Sequence, residues 1–152
     1  LMLNRNLIGK KYEPVIFRVT DQRLKFFAKA TGQTDPLYYD HDIAISQGHK
    51  GIVCPPTFLI VVGMEQKNPF QFLEDLDVKI ERMLHAGQEF IYEEIVYEGD
   101  KLRMDTKIID MYDKKEGLLQ FCNLESKFTN QNSKHIATLK NTIVARWKVY
   151  EF

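Results

Sequence analysis

"PPTFLIVVGMEQ", residues 55–66, is the stretch that decides how this chain folds. From Phe58 to Val62 it is apolar on every side, and a helix that is hydrophobic all round belongs inside a protein. The run is far too short to span a membrane. Ile60, Val61 and Val62 are β-branched and leave a strand open. Pro55 and Pro56 ahead of Thr57, a natural cap, favour a helix start instead. The spacing predicts a central buried helix over residues 57–66, and such a helix needs something long to wrap it.

The wrapping material lies downstream, where the hydrophobic period changes to two. "QEFIYEEIVY" (88–97), "KLRMDTKIIDMY" (101–112), "LLQFCNLESKFT" (118–129) and "HIATLKNTIVARWKVY" (135–150) read as four long strands. The breaks "EGD" (98–100), "DKKEG" (113–117) and "NQNSK" (130–134) have hairpin length and chemistry, which predicts an antiparallel meander. Upstream, "PVIFRVT" (14–20) alternates as a further strand. Thr20 or Asp21 can cap a helix carrying Leu24, Phe27, Ala28 and Thr31 on one face, and Gly32 stops it. Asp40 is placed to cap a second, short helix ended by Gly48. Residues 67–84 have no clear period and are expected to be irregular with a helical turn. One strand, helices and an antiparallel sheet make an α+β domain. A long curved sheet around one buried helix is the geometry of a hotdog fold, expected here as a single domain over residues 1–152.

Composition narrows the function classes. Hydrophobic residues at 44% and charged residues at 28% are ordinary for a globular protein. Lys+Arg and Asp+Glu are both 21, so the net charge is near zero. That excludes nucleic acid and anionic membrane as main partners, since both need a basic surface. Cys54 and Cys122 lie far apart without metal-ligand spacing, which argues against a zinc site or a disulfide framework. They are expected as buried free thiols. "LMLNRNLIGKKYEP" has no run suited to a signal peptide and no segment reaches transmembrane length, so a cytoplasmic location is expected.

The chemistry-bearing stretch is "TGQTDPLYYDHD" (31–42). Gly9 and Tyr12, a strand, "FFAKATGQTDPLYYD", "GIVCPPTF", "LHAGQEFIYEEIVYEGDKL", "FTNQ" and a last strand ending in "VAR" follow in order. This order resembles the MaoC-like hotdog dehydratases and hydratases. It is most similar to the branch that forms the substrate-holding, non-catalytic half of double-hotdog enzymes. The resemblance implies an acyl thioester of coenzyme A or acyl carrier protein as ligand, and no cofactor. It also implies a homodimer, or a heterodimer with a catalytic hotdog subunit.

In catalytic relatives the loop reads Gly-Asp-x-Asn-Pro-hydrophobic-His. The Asp and His grip the water that is added or removed across the α,β bond, one taking a proton while the other gives it. Gly32, Pro36 and Leu37 match this pattern. Gln33 stands at the Asp position, Asp35 at the Asn position and Tyr38 at the His position. Gln33 cannot accept a proton, and a tyrosine with an ordinary pKa of about 10 is a poor base at neutrality. Both can still form hydrogen bonds. Asp35 is the one carboxylate inside the motif that could serve as general base, or it could brace the turn through backbone N–H groups. Tyr38 and Tyr39 suit packing or lining, and His41 between Asp40 and Asp42 suits a solvated surface.

Catalytic relatives often place His-Gly at the start of the buried helix, where backbone N–H groups hold the thioester oxygen. Pro55 and Pro56 have no N–H, which leaves Thr57 and Phe58 as the nearest donors. The residues expected at a substrate are therefore Asp35, Tyr38, Pro56, Thr57 and Phe58. His85 reads as structural, His49 and His135 stand alone, and no metal site is indicated. Three functions stay open: a binding subunit without the usual catalytic pair, an active hydratase or thioesterase using Asp35, and a non-enzymatic acyl-binding homodimer.

Overall fold

The computed structural model of the chain describes residues 2–147, so the 148–150 end of the last predicted strand lies outside them. Five strands form one antiparallel sheet: β1 (Val15–Arg18), β2 (Met83–Tyr92), β3 (Lys101–Lys114), β4 (Leu119–Thr129) and β5 (His135–Arg146). Four short helices accompany it: α1 (Asp21–Ala30), α2 (His41–Ser46), α3 (Ile60–Met64) and α4 (Gln71–Asp75). The spatial order is β1-β3-β4-β5-β2, and this is a hotdog fold of the α+β class. Directly paired residues share a face, so Leu102, Met104 and Ile108 of β3 join Cys122, Leu124 and Phe128 of β4 on the inner side. Phe58, Leu59 and Val62 are fully buried. Phe58 packs tilted against Phe17 and edge-on to Phe27. Burying each such side chain stabilises the fold by roughly 1.5–3 kcal/mol.

The central helix is shorter than the sequence predicts, spanning Ile60–Met64 rather than 57–66. The chain from Pro55 to Val62 closes through tight bonds to the third residue back: Phe58 N–H to Pro55 O, Val61 N–H to Phe58 O and Val62 N–H to Leu59 O. Such bonds make narrow turns and not a regular α-helix. Thr57 caps nothing, because the helix begins after Leu59 without a side-chain cap. The segment is also not buried all round, since Ile60 is 43% and Met64 58% exposed.

The meander is corrected too. β2 covers 83–92 instead of 88–97, and it pairs with β5 at the far edge of the sheet, not with β3. Its ladder ends where the N–H groups of Glu93 and Glu94 both reach Ile136 O. The "EGD" break is therefore a corner and not a hairpin. Gly99, at φ 86°, donates its N–H to Val19 O, and Val19 N–H returns the bond to Asp100 O. The corner thus ties β3 to the end of β1. Within 67–84, α4 occupies 71–75 and β2 begins at Met83.

α1 starts and stops as its residues dictate. Thr20 Oγ1 accepts from Arg23 N–H at 3.3 Å, and Leu24 and Ala28 face the core. Gly32 takes φ 75° just past the end, which lets Gln33 N–H reach Ala28 O at 2.9 Å.

Candidate functional site

The loop after α1 is held by its own side chains. Asp35 is exposed, and its Oδ1 accepts from Leu37 N–H at 3.0 Å, capping a 3-10 turn over Pro36–Tyr38. The Tyr39 hydroxyl donates to Gln33 O at 2.6 Å, closing the loop from the other side. Asp40 Oδ1 caps α2 through Ile43 N–H at 3.0 Å.

Tyr38 lines a cleft of about 430 Å³ together with Val53, Cys54, Pro55, Pro56 and the 92–96 segment. Of the expected substrate residues, the structure brings Tyr38 and Pro56 together here. Asp35 and Thr57 are exposed and line no cavity wall with them, and Phe58 is in the core. The Phe58 N–H, a candidate oxyanion donor, is already bonded to Pro55 O at 3.0 Å. Tyr92 at the cleft has its phenol pushed up to about 12, first by burial.

A second cavity, a groove of about 300 Å³, runs between α3, α4 and the inner face of the sheet, and it shares no wall residue with the cleft. Leu59, Met64, Met104, Phe128, Leu139 and Ile143 make much of its wall. His85, itself exposed, lines it, and Tyr12 stands at one side. Tyr12 has its phenol raised by burial and by the neighbouring Asp75. Burial alone would raise the Asp75 carboxyl, but the neighbouring Lys10 ammonium, Gln71 amide and Tyr12 phenol hold it below the usual carboxylate range. Lys10 Nζ lies 2.7 Å from Asp75 Oδ2.

The histidines pair with residues distant in sequence. His41 Nδ1 bonds Glu98 Oε1, 57 residues away on the corner after the 92–96 segment. The hydrogen bond to Glu98 raises the imidazole above its ordinary value, and Asp42 and Asp40 add to it. His49 Nδ1 lies 3.2 Å from Tyr97 Oη, and His135 Nε2 lies 3.1 Å from Thr138 Oγ1. His41 is thus a tie between α2 and the corner, which its acidic neighbours in sequence did not reveal. Both cysteines are free. Burial raises the Cys54 thiol, and burial followed by Asp110 pushes Cys122 up to about 12, so neither is poised as a nucleophile. Among the described residues, no group of three or more His, Cys, Asp or Glu could hold a metal ion. No helix there is long and apolar enough to cross a membrane.

Comparison with known proteins places this geometry among relatives. The FAS1-like, dehydratase domain region matches residues 6–139. A UPF0336 protein of Leifsonia xyli is 31% identical over 147 residues, covering 95% of this chain and 96% of its own. Among solved structures, the C-terminally truncated HadBC complex of Mycobacterium tuberculosis, a 3R-hydroxyacyl-ACP dehydratase, has a TM-score of 0.78 at 21% identity. That match covers 93% of this chain and 99% of the other. A MaoC-like dehydratase has a TM-score of 0.82 at 21% identity, covering 92% of this chain and 42% of the other.

Proposed function

We propose, on the premise that the chain belongs to the FAS1-like dehydratase domain family whose model matches residues 6–139, that it is one MaoC-like hotdog domain that binds an acyl thioester and leaves the dehydratase chemistry to a partner subunit. One observation carries this: the loop offers no proton-transfer pair. Adding or removing water needs one group to take a proton and another to give it. Gln33 can do neither, and Tyr38 faces the cleft beside prolines that have no N–H to hold an oxyanion. Asp35 is exposed and commits an oxygen to the Leu37 N–H, which makes it a brace of the turn.

HadBC is a 3R-hydroxyacyl-ACP dehydratase complex, which supports an acyl thioester as ligand and a second subunit as partner. This chain spans 42% of the MaoC-like dehydratase chain, which supports a pairing of two such domains. Coenzyme A and acyl carrier protein both remain suitable carriers.

The test is hydration of a crotonyl thioester. The purified protein should hydrate it at background, because each missing acid/base group is worth roughly 10²–10⁴-fold. Gln33→Asp with Tyr38→His should raise the rate above background if only the side chains were lost. Turnover by the unmodified protein that Asp35→Asn abolishes would overturn the proposal and make Asp35 the general base.

A further inference from the structure

The outer face of the sheet, opposite to Met104, Leu124 and Leu139, carries two transverse rows that the strand register fixes, because directly paired residues share a face. Glu89 of β2 pairs with Lys140 of β5, Lys140 with Glu125 of β4, and Glu125 with Lys107 of β3. This row alternates in charge across four strands. A second row, Leu84, Val144, Phe121 and Tyr112, crosses the same strands in the same order and is apolar. Even spacing along β4 and β5 puts both rows on one face. Leu84 is 51% exposed, and the Tyr112 and Phe121 rings stack with centroids 4.9 Å apart.

Opposite charges on neighbouring strands can meet within one sheet, yet these do not. Among the described residues Glu89, Lys107 and Lys140 enter no ion pair, and Glu125 reaches only Lys127, at 3.9 Å. An alternating row with an even number of charges is also its own complement when turned end for end. A two-fold axis parallel to the strands, between β4 and β5, makes that turn: it lays β2 over β3 of a second copy and β5 over β4. Glu89 then faces Lys107, Lys140 faces Glu125, Leu84 faces Tyr112 and Val144 faces Phe121. The row between them, Gly87, Thr142, Asn123 and Asp110, meets itself without opposing like charges.

We propose that two copies of this chain pack their outer sheet faces against each other about that axis, charged row on charged row and apolar row on apolar row. Sheets stacked face to face stand about 10 Å apart with strand directions within about 30° of each other. Lys and Glu side chains reaching from opposite sides can close that gap. Four strands about 4.8 Å apart make a patch at the small end for a specific contact, so the association is expected in the micromolar range. The contact uses no residue of the Tyr38 cleft and stands independently of the acyl-thioester reading.

The test is the mass of the full chain by sedimentation across the micromolar range, with two charge reversals. Glu89 and Lys107 lie on different strands, β2 and β3, that do not touch within one copy, so they meet only between copies. Glu89→Lys and Lys107→Glu each set like charges against each other at both ends of the contact. Each variant alone should have half the mass of the unmodified protein, whether or not the chain also associates elsewhere. An equimolar mixture of the two should regain the full mass, because one copy then brings two cations and the other two anions. Unmodified protein that stays a monomer throughout that range would overturn the inference. Single variants that keep the full mass would overturn it as well, and so would a mixture that remains at half mass. Regained mass in the mixture also shows that both variants fold.

Discussion

Truncating Phe58 to alanine separates a packing role from a ligand-contact role. The ring is 1% exposed. Its centroid lies 5.5 Å from that of Phe27 and 5.9 Å from that of Phe17, within one cluster that includes Leu24, Leu102 and Phe128. Aromatic pairs of this kind contribute about 0.5–1.5 kcal/mol each beyond the area they bury. Their loss adds to the transfer term and to the cavity left behind, and Phe→Ala at such sites costs about 3–5 kcal/mol in all. In a domain of this size one kcal/mol moves the melting temperature roughly 2–4 °C, so Phe58→Ala should lower it by about 6–20 °C. Phe58→Leu keeps most of the apolar volume and should cost less than half as much. The assay is a circular-dichroism melt at fixed protein concentration, with acyl-thioester binding measured well below the transition. Affinity should survive wherever the fold does. A variant that melts within about 2 °C of the parent, yet loses thioester binding, would make Phe58 a wall of the site and refute its place in the core.

Three further perturbations probe the ties around the site. Glu98 holds His41 above its ordinary pKa, so the pair stabilises the fold fully below about pH 6.5 and loses that effect as pH rises through the folded-state value. The melting difference between the parent and His41→Gln should be largest in mild acid and close toward alkaline pH; a gap that widens on raising pH contradicts this. Gly51→Ala would place a Cβ 2.8 Å from Glu98 Oε1. The flexible carboxylate end should yield at a cost of about 1 kcal/mol, and the pH-dependent His41 effect should vanish with it; if that effect persists, Glu98 reaches His41 by another route. Asp75 has a depressed carboxyl, so its contribution is present above its unfolded value of about 3.9 and is lost as pH falls through the folded one. Asp75→Asn should lower stability by about 1 kcal/mol at neutral pH, with the difference shrinking in acid; an equal difference at every pH would show the charge to be irrelevant.

Much of the sheet was legible because its strands are long and most of their inward residues alternate, as Leu102–Met104 and Cys122–Leu124 do. Strand order was not. "EGD" has the same local chemistry whether it joins neighbours or turns a corner, and the bonds that choose the corner come from Val19, some eighty residues upstream. The central helix was overextended because an apolar run reports burial and not backbone geometry, and here the backbone closes through bonds to the third residue back. At the site, the motif positions Gln33, Asp35 and Tyr38 could be read directly, and Asp35 takes up the backbone-bracing geometry that its place before Pro36 permits. The His41–Glu98 tie leaves no local trace. The groove did leave one: Thr106, Ser126 and Asn141 line it at positions where the alternation calls for apolar residues.

The strand order also sets how the chain must assemble. β3, β4 and β5 are joined by short turns and can zip in sequence, each pairing closing only a small loop. The outer strands are different. Val15 finds Met104 and Met83 finds Ala145, so both edges wait on long stretches of chain to come round. Loop-closure entropy of that kind slows folding toward milliseconds to seconds. On that ground the three-stranded hairpin array is expected to form first, and the edges, which carry the corner at Gly99 and the His85 side of the groove, to dock last. A chain halted before that step would present a formed inner sheet with both of its rims bare.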